Sequence, residues 1–163
     1  MAAVSEIYQY RKVSESLATS GQPKESHIAA AAAEGYTVVI NLGLHDDQRY
    51  ALADERAAVA AVGMKYVHIP VQFGCPTEAD LVAFLESMDA HEDERVLVHC
   101  AANKRVSAFL GLYLVIRKGN GLDQAFALMR SVWEPDDVWA SFIKSMLSKH
   151  GTQTNFLDQA ESQ

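Results

Sequence analysis

The chain predicts an α/β fold: a single domain with a central, mainly parallel sheet of four to five strands flanked by helices. Three observations lead there. Apolar runs and breakers alternate as strand and helix in turn. Gly35, Gly63 and Gly119 each stand just past a helix-like segment, where C-terminal caps stand. The 163 residues, 49% apolar and 21% charged, are enough to close one hydrophobic core. Strands joined through helices must run parallel, and such sheets bind ligands outside the carboxyl ends of their strands.

The elements follow in order. Residues 24–34 are alanine-rich and helical, and Thr37-Val38-Val39-Ile40-Asn41-Leu42 reads as a short buried strand. Residues 51–62 repeat the helix and Tyr66-Val67-His68-Ile69-Pro70 the strand. Thr77 and Asp80 are spaced to cap a third helix that carries Leu81, Phe84, Leu85 and Met88 at helical intervals. A buried strand, Val96-Leu97-Val98-His99, then runs into Cys100. Beyond it a helix over Ser107–Arg117 leaves, a turn follows at Lys118-Gly119-Asn120-Gly121, and a helix over Leu122–Val132 returns. Each spans roughly 15 to 17 Å at 1.5 Å per residue, so Trp133-Glu134-Pro135-Asp136-Asp137 should come back to the level of Cys100. A last helix carries Val138, Trp139, Phe142, Ile143, Met146 and Leu147, and a polar tail, 151–163, is expected to fray.

Charge and composition exclude several functions. A formal charge of −7 without a Lys/Arg stripe argues against nucleic acid as a partner. No window approaches the 18 or so apolar residues that cross a bilayer, and the start lacks a basic and then apolar leader, so the chain reads as cytoplasmic with no membrane partner. Cys75 and Cys100 alone make neither a disulfide framework nor a Cys-x2-Cys metal pattern, and the six histidines lack ligand spacing. No metal and no cofactor are expected, and the oligomeric state is not encoded in any motif.

The chemistry concentrates at His99-Cys100-Ala101-Ala102-Asn103-Lys104-Arg105-Val106-Ser107. A strand, a cysteine, a short turn and a helix make an anion cradle: the N–H groups of a turn that opens a helix point at the anion, and the helix dipole favours negative charge. A thiolate there is stabilised by the same groups and is reactive at neutral pH. Asn103 is the non-glycine residue type best able to take the left-handed conformation such a turn needs.

This stretch resembles the signature loop His-Cys-x5-Arg-Ser/Thr of the cysteine-dependent protein tyrosine and dual-specificity phosphatases. Two alignments are open. Without a gap, Asn103 takes a glycine place, Val106 the arginine place, and Arg105 comes one position early. In the alternative the loop is one residue shorter, Cys-x4-Arg, and Arg105 keeps its role. The resemblance extends upstream through Leu17-Ala18-Thr19-Ser20-Gly21-Gln22-Pro23, Gly35-Tyr36, Val39-Ile40-Asn41-Leu42, Gly63 and Tyr66-Val67-His68-Ile69-Pro70-Val71, which are similar to a bacterial branch of phosphatase-like domains. It implies a phosphatase-like catalytic domain over residues 1–150 that acts on a phosphorylated protein or a small phosphomonoester. In that reading Cys100 is the nucleophile and Arg105 the bidentate phosphate clamp. Ala101, Ala102, Asn103, Lys104, Val106 and Ser107 line the bound substrate, Ser107 also easing the departure of the thiolate, and His99 orients the loop.

Such enzymes need a general acid for the leaving oxygen, and the resemblance implies an aspartate on the loop after the Ile-Pro-Val strand. Gln72 stands there instead. Glu78 and Asp80 fall in a helix's first turn, where carboxylates cap. Glu134, and next to it Asp136, are therefore the expected acid, on the returning turn between Trp133 and Trp139. Cys75 is a candidate resolving thiol for an oxidised Cys100. Two competing readings remain: a phosphate-binding pseudophosphatase, and a rhodanese-like sulfurtransferase, whose cysteine cradle is also short.

Overall fold

The computed structural model describes residues 2–45 and 52–150. Residues 46–50, the first residue of the second predicted helix and the polar tail from Gly151 lie outside them.

Five strands form one sheet: β1 (Arg11–Ser14), β2 (Leu17–Ser20), β3 (Val38–Asn41), β4 (Lys65–His68) and β5 (Val96–His99), in the order β1-β2-β5-β3-β4. Only β1 runs antiparallel to its neighbour. The sheet is covered on both faces, as a parallel sheet must be. Val38, Ile40, Val96 and Val98 face the larger core with α3 (Glu78–Ala90), α4 (Lys104–Ile116) and α7 (Asp137–His150). Val39 and Leu97, one residue out of phase, face a smaller core with α1 (Glu25–Ala33) and α2 (Glu55–Ala61). That period of two is what a strand imposes.

The three glycines expected as helix caps have φ of +98°, +80° and +69°, at Gly35, Gly63 and Gly119, the left-handed region that glycine enters without penalty. Thr77 Oγ1 accepts from the Asp80 N–H at 3.1 Å while Asp80 Oδ2 accepts from the Thr77 N–H at 3.2 Å, a reciprocal cap. Two features differ from expectation. The hairpin β1–β2 was not legible as strands, and the returning helix is broken into α5 (Leu122–Ala125) and α6 (Ala127–Val132) by Phe126, at φ −102° and ψ 9°. The break lets the Phe126 ring lie against Gly111 of α4, where an added Cβ would stand 2.2 Å from the ring. No described helix is long and apolar enough to cross a membrane.

Candidate active site

The site lies at the carboxyl edge of the sheet's middle strand. β5 is flanked by β2 and β3, with Ser20 and Asn41 level with His99. Cys100 follows, buried, its N–H donating to the Ser20 carbonyl at 3.3 Å. The loop is braced from the segment after β2: Gln22 N–H donates to the Ala101 carbonyl at 3.0 Å. Gly21 allows that approach, since a Cβ there would lie 2.6 Å from the same oxygen.

Asn103 ends the loop at φ +63°, the left-handed conformation expected of it. Its amide is turned away from the helix that it precedes, donating to Gln9 O at 2.9 Å and Thr19 Oγ1 at 3.0 Å. α4 consequently opens at Lys104 with no side-chain cap. Among the described residues, its first-turn N–H groups are left for an outside acceptor, and the helix dipole points the same way.

Arg105 sits in that first turn, buried, with Nη1 donating to the Val71 carbonyl at 2.8 Å. This is its one protein partner among the described residues, and a guanidinium has five N–H donors. Val106, expected among the substrate-binding residues, is fully buried in the larger core. Its side chain packs among the residues of that core. Lys104 is exposed, its ammonium 5.7 Å from the Trp133 ring and 6.0 Å from the Phe73 ring. Ser107 Oγ donates to the Lys104 carbonyl at 3.0 Å.

Beneath the loop lies a polar network that sequence reasoning missed. His99, fully buried, places Nε2 2.6 Å from Glu55 Oε2, and Gln22 Nε2 donates to Glu55 Oε1 at 2.8 Å. Burial alone would raise the Glu55 carboxyl; the charge of His99 and the hydrogen bonds from His99 and Gln22 outweigh it and hold the group below its ordinary value. Alongside, Asn41 Nδ2 donates to the Tyr66 hydroxyl at 3.0 Å, His45 Nε2 lies 2.6 Å from the same hydroxyl, and His45 stacks on His68 at 3.8 Å. Burial, and then the charge of Glu55, push the Tyr66 phenol well above its usual range. A glutamate in a helix's first turn reads from sequence as a dipole partner, and nothing in its spacing announces a histidine 44 residues away.

The rim is different in kind. The Trp133 segment does return beside Lys104, and Phe73, Trp133 and Trp139 form one aromatic cluster, tied by Trp139 Nε1 donating to the Phe73 carbonyl at 2.7 Å. Asp136 Oδ1 accepts from the Trp139 N–H at 2.9 Å, so this carboxylate caps α7. Glu134 is exposed and lines a depression with Met129, Arg130, Trp133, Pro135 and Ala140. Glu78 is engaged by His150 at 2.5 Å, a hydrogen bond that lowers its carboxyl. Gln72 and Cys75 are exposed on the turn after β4, and both cysteines are free thiols.

A mainly parallel sheet whose middle strand ends in a cysteine, followed by an uncapped helix with an arginine in its first turn, is the architecture of a phosphatase-like domain. The model of the phosphatase-like domain of beta-lactamase hydrolase-like proteins matches residues 9–114, and the chain belongs to that family. A beta-lactamase hydrolase-like protein of Xylella fastidiosa strain Temecula1 is 33% identical over 118 residues, 71% of this chain and 27% of that protein. The chain thus spans about a quarter of the length of the curated relatives it matches. A solved DUF442 protein of Shewanella putrefaciens CN-32 is 32% identical with a TM-score of 0.82, over 91% of this chain and 97% of that one. The fold is shared more widely: P. aeruginosa TpbA, solved in complex with pTyr, is 18% identical with a TM-score of 0.68 over 88% of this chain and 86% of its own.

Proposed function

We propose that this domain hydrolyses phosphomonoesters, phosphotyrosine in proteins or a small phosphate ester of the cytoplasm, through a phosphocysteine intermediate. The observation that carries the reading is the uncapped first turn of α4 directly after Cys100, with Arg105 in that turn. The Cys100 thiolate attacks phosphorus, the phosphorus–oxygen bond to the leaving group breaks, and that oxygen takes a proton from Glu134. Water, its proton passing to the Glu134 carboxylate, then attacks phosphorus and breaks the phosphorus–sulfur bond, releasing inorganic phosphate and restoring both the thiolate and the acid. Arg105 and the first-turn N–H groups hold the equatorial oxygens in both steps, with the loop residues Ala101, Ala102, Asn103 and Lys104 around them. The Ser107 hydroxyl, which donates to the Lys104 carbonyl at rest, would turn to donate to the departing sulfur. That TpbA was solved with pTyr supports an aryl phosphate as the first substrate to try.

The test is p-nitrophenyl phosphate hydrolysis, whose leaving group needs little protonation. Wild type should turn it over and Cys100→Ser should not, while retaining vanadate binding. Gln72 in place of an aspartate favours a second reading, a phosphate-binding domain without turnover. Vanadate binding by a wild type that hydrolyses neither aryl nor alkyl phosphates would establish that reading and end the first. Thiosulfate–cyanide turnover would point instead to sulfur transfer.

A further inference from the structure

Both ring nitrogens of His99 face acceptors. Nε2 lies 2.6 Å from a Glu55 carboxylate oxygen and Nδ1 lies 3.4 Å from the carbonyl oxygen of Cys100. A neutral imidazole carries a single N–H, so one of the two acceptors would meet a lone pair; only the doubly protonated ring meets both. His99 and Glu55 are buried, and a buried carboxylate persists only when paired and hydrogen-bonded, as Glu55 is by His99 on one oxygen and Gln22 on the other. We infer that Glu55 is a positioning residue for the cysteine chemistry: with Gln22 it holds His99 as an imidazolium beneath Cys100, and the Cys100 thiolate depends on that charge.

The ring's other nitrogen faces the backbone carbonyl of Cys100, so removing Glu55 removes the reason for the ring to carry its second proton. The other groups facing the pair do not replace it. From the turn after β3 comes His45, exposed; from β4 come Tyr66, kept protonated, and His68, which burial pushes down and so keeps neutral. Arg56 of α2 lies over the Tyr66 ring at 5.0 Å. A doubly protonated His99 would put a cation on the residue next to Cys100. This rests on Cys100 being the nucleophile, but not on turnover.

The experiment uses the full chain carrying Cys75→Ser, so that one thiol titrates. Ring 15N shifts of His99, assigned by their loss in His99→Asn, should show both nitrogens protonated at neutral pH. A neutral tautomer there would overturn the inference. Thiolate absorbance of Cys100 gives the second arm. Glu55→Gln and His99→Asn should each cut the thiolate fraction at neutral pH about tenfold, one pKa unit, and the double variant no further, because both act through one ring. A Glu55→Gln protein with a lower melting temperature and an unchanged Cys100 titration would show a structural role only, against the inference. If Glu55→Gln does not fold, Gln22→Ala is read in the same way, with a smaller fall in thiolate expected and an unchanged titration counting against. A wild type that hydrolyses no phosphate ester sinks the phosphatase reading while these titrations stand; an active enzyme with a neutral His99 sinks this inference alone.

Discussion

The floor and the rim of the Cys100 cradle are built on opposite plans. The floor is held by groups from four separate stretches: Gln9, the Thr19–Gln22 segment, Glu55 and His99 all bond to the loop or to each other, and the side chains of Thr19, Ser20, Glu55 and His99 are buried. The rim is aromatic and open, with Phe73, Gln72, Cys75, Lys104 and Glu134 exposed. A loop that receives a dianion has to exist in one conformation before the anion arrives, because ordering it at the moment of binding would consume the binding energy. A rim that chooses among leaving groups is under no such constraint. Floor substitutions should therefore act on every phosphate ester alike, and rim substitutions should act differently on different esters.

The largest effect belongs to Arg105, which joins the two regions through Val71. Arg105→Ala should lower kcat/KM about 10²- to 10³-fold, the usual cost of one charged stabiliser of a transferring group, for aryl and alkyl phosphates equally. Arg105→Lys should not recover it, since an ammonium lacks the bidentate fork. Recovery by lysine would mean that the residue supplies only charge. At the rim, Glu134→Gln should leave p-nitrophenyl phosphate hydrolysis nearly intact and slow an alkyl phosphate by about 10²-fold, the contribution of a general acid. Asp136→Ala serves as its control: as the cap of α7 it should cost about 1 kcal/mol of stability and leave the ratio of the two substrates alone. A ratio unchanged in Glu134→Gln removes that residue from the chemistry.

What the sequence disclosed follows the same division. The strands into Asn41 and His99 were legible because they are continuous apolar runs, and the helix ends because Gly35, Gly63 and Gly119 occupy backbone conformations that other residues avoid. The Cys100 loop was legible because its residue types carry their chemistry with them. The hairpin over Arg11–Ser20 was not: its strands are four residues each, and the turn at Glu15-Ser16 has none of the glycine or asparagine that marks a hairpin. Nor were Gln22 and Glu55, whose bonds span 33 and 44 residues. Pairings of that range are decided by which helix the sheet brings alongside, and no local pattern records them. At the rim, Asp136 is a residue type with two local uses, and in the structure its carboxylate caps α7.

Asn103 offers the finest cut between the two regions, because it holds the floor by two separable means. Its backbone is left-handed at φ +63°, and its amide reaches Gln9 and Thr19. Asn103→Ala loses both and should cost roughly 1 to 2 kcal/mol for the strained backbone alone, read by urea unfolding, with weaker vanadate binding to match. Asn103→Gly keeps the conformation without strain and loses only the amide. The difference between the two variants therefore isolates the backbone, and the difference between glycine and wild type isolates the ties to Gln9 and Thr19. If alanine and glycine bind vanadate equally well, the left-handed turn does not shape the anion site. If glycine matches wild type, the amide ties contribute only to the fold of the segments they join. A floor that is organised before the anion arrives requires a loss at both steps, the same for every ester tested.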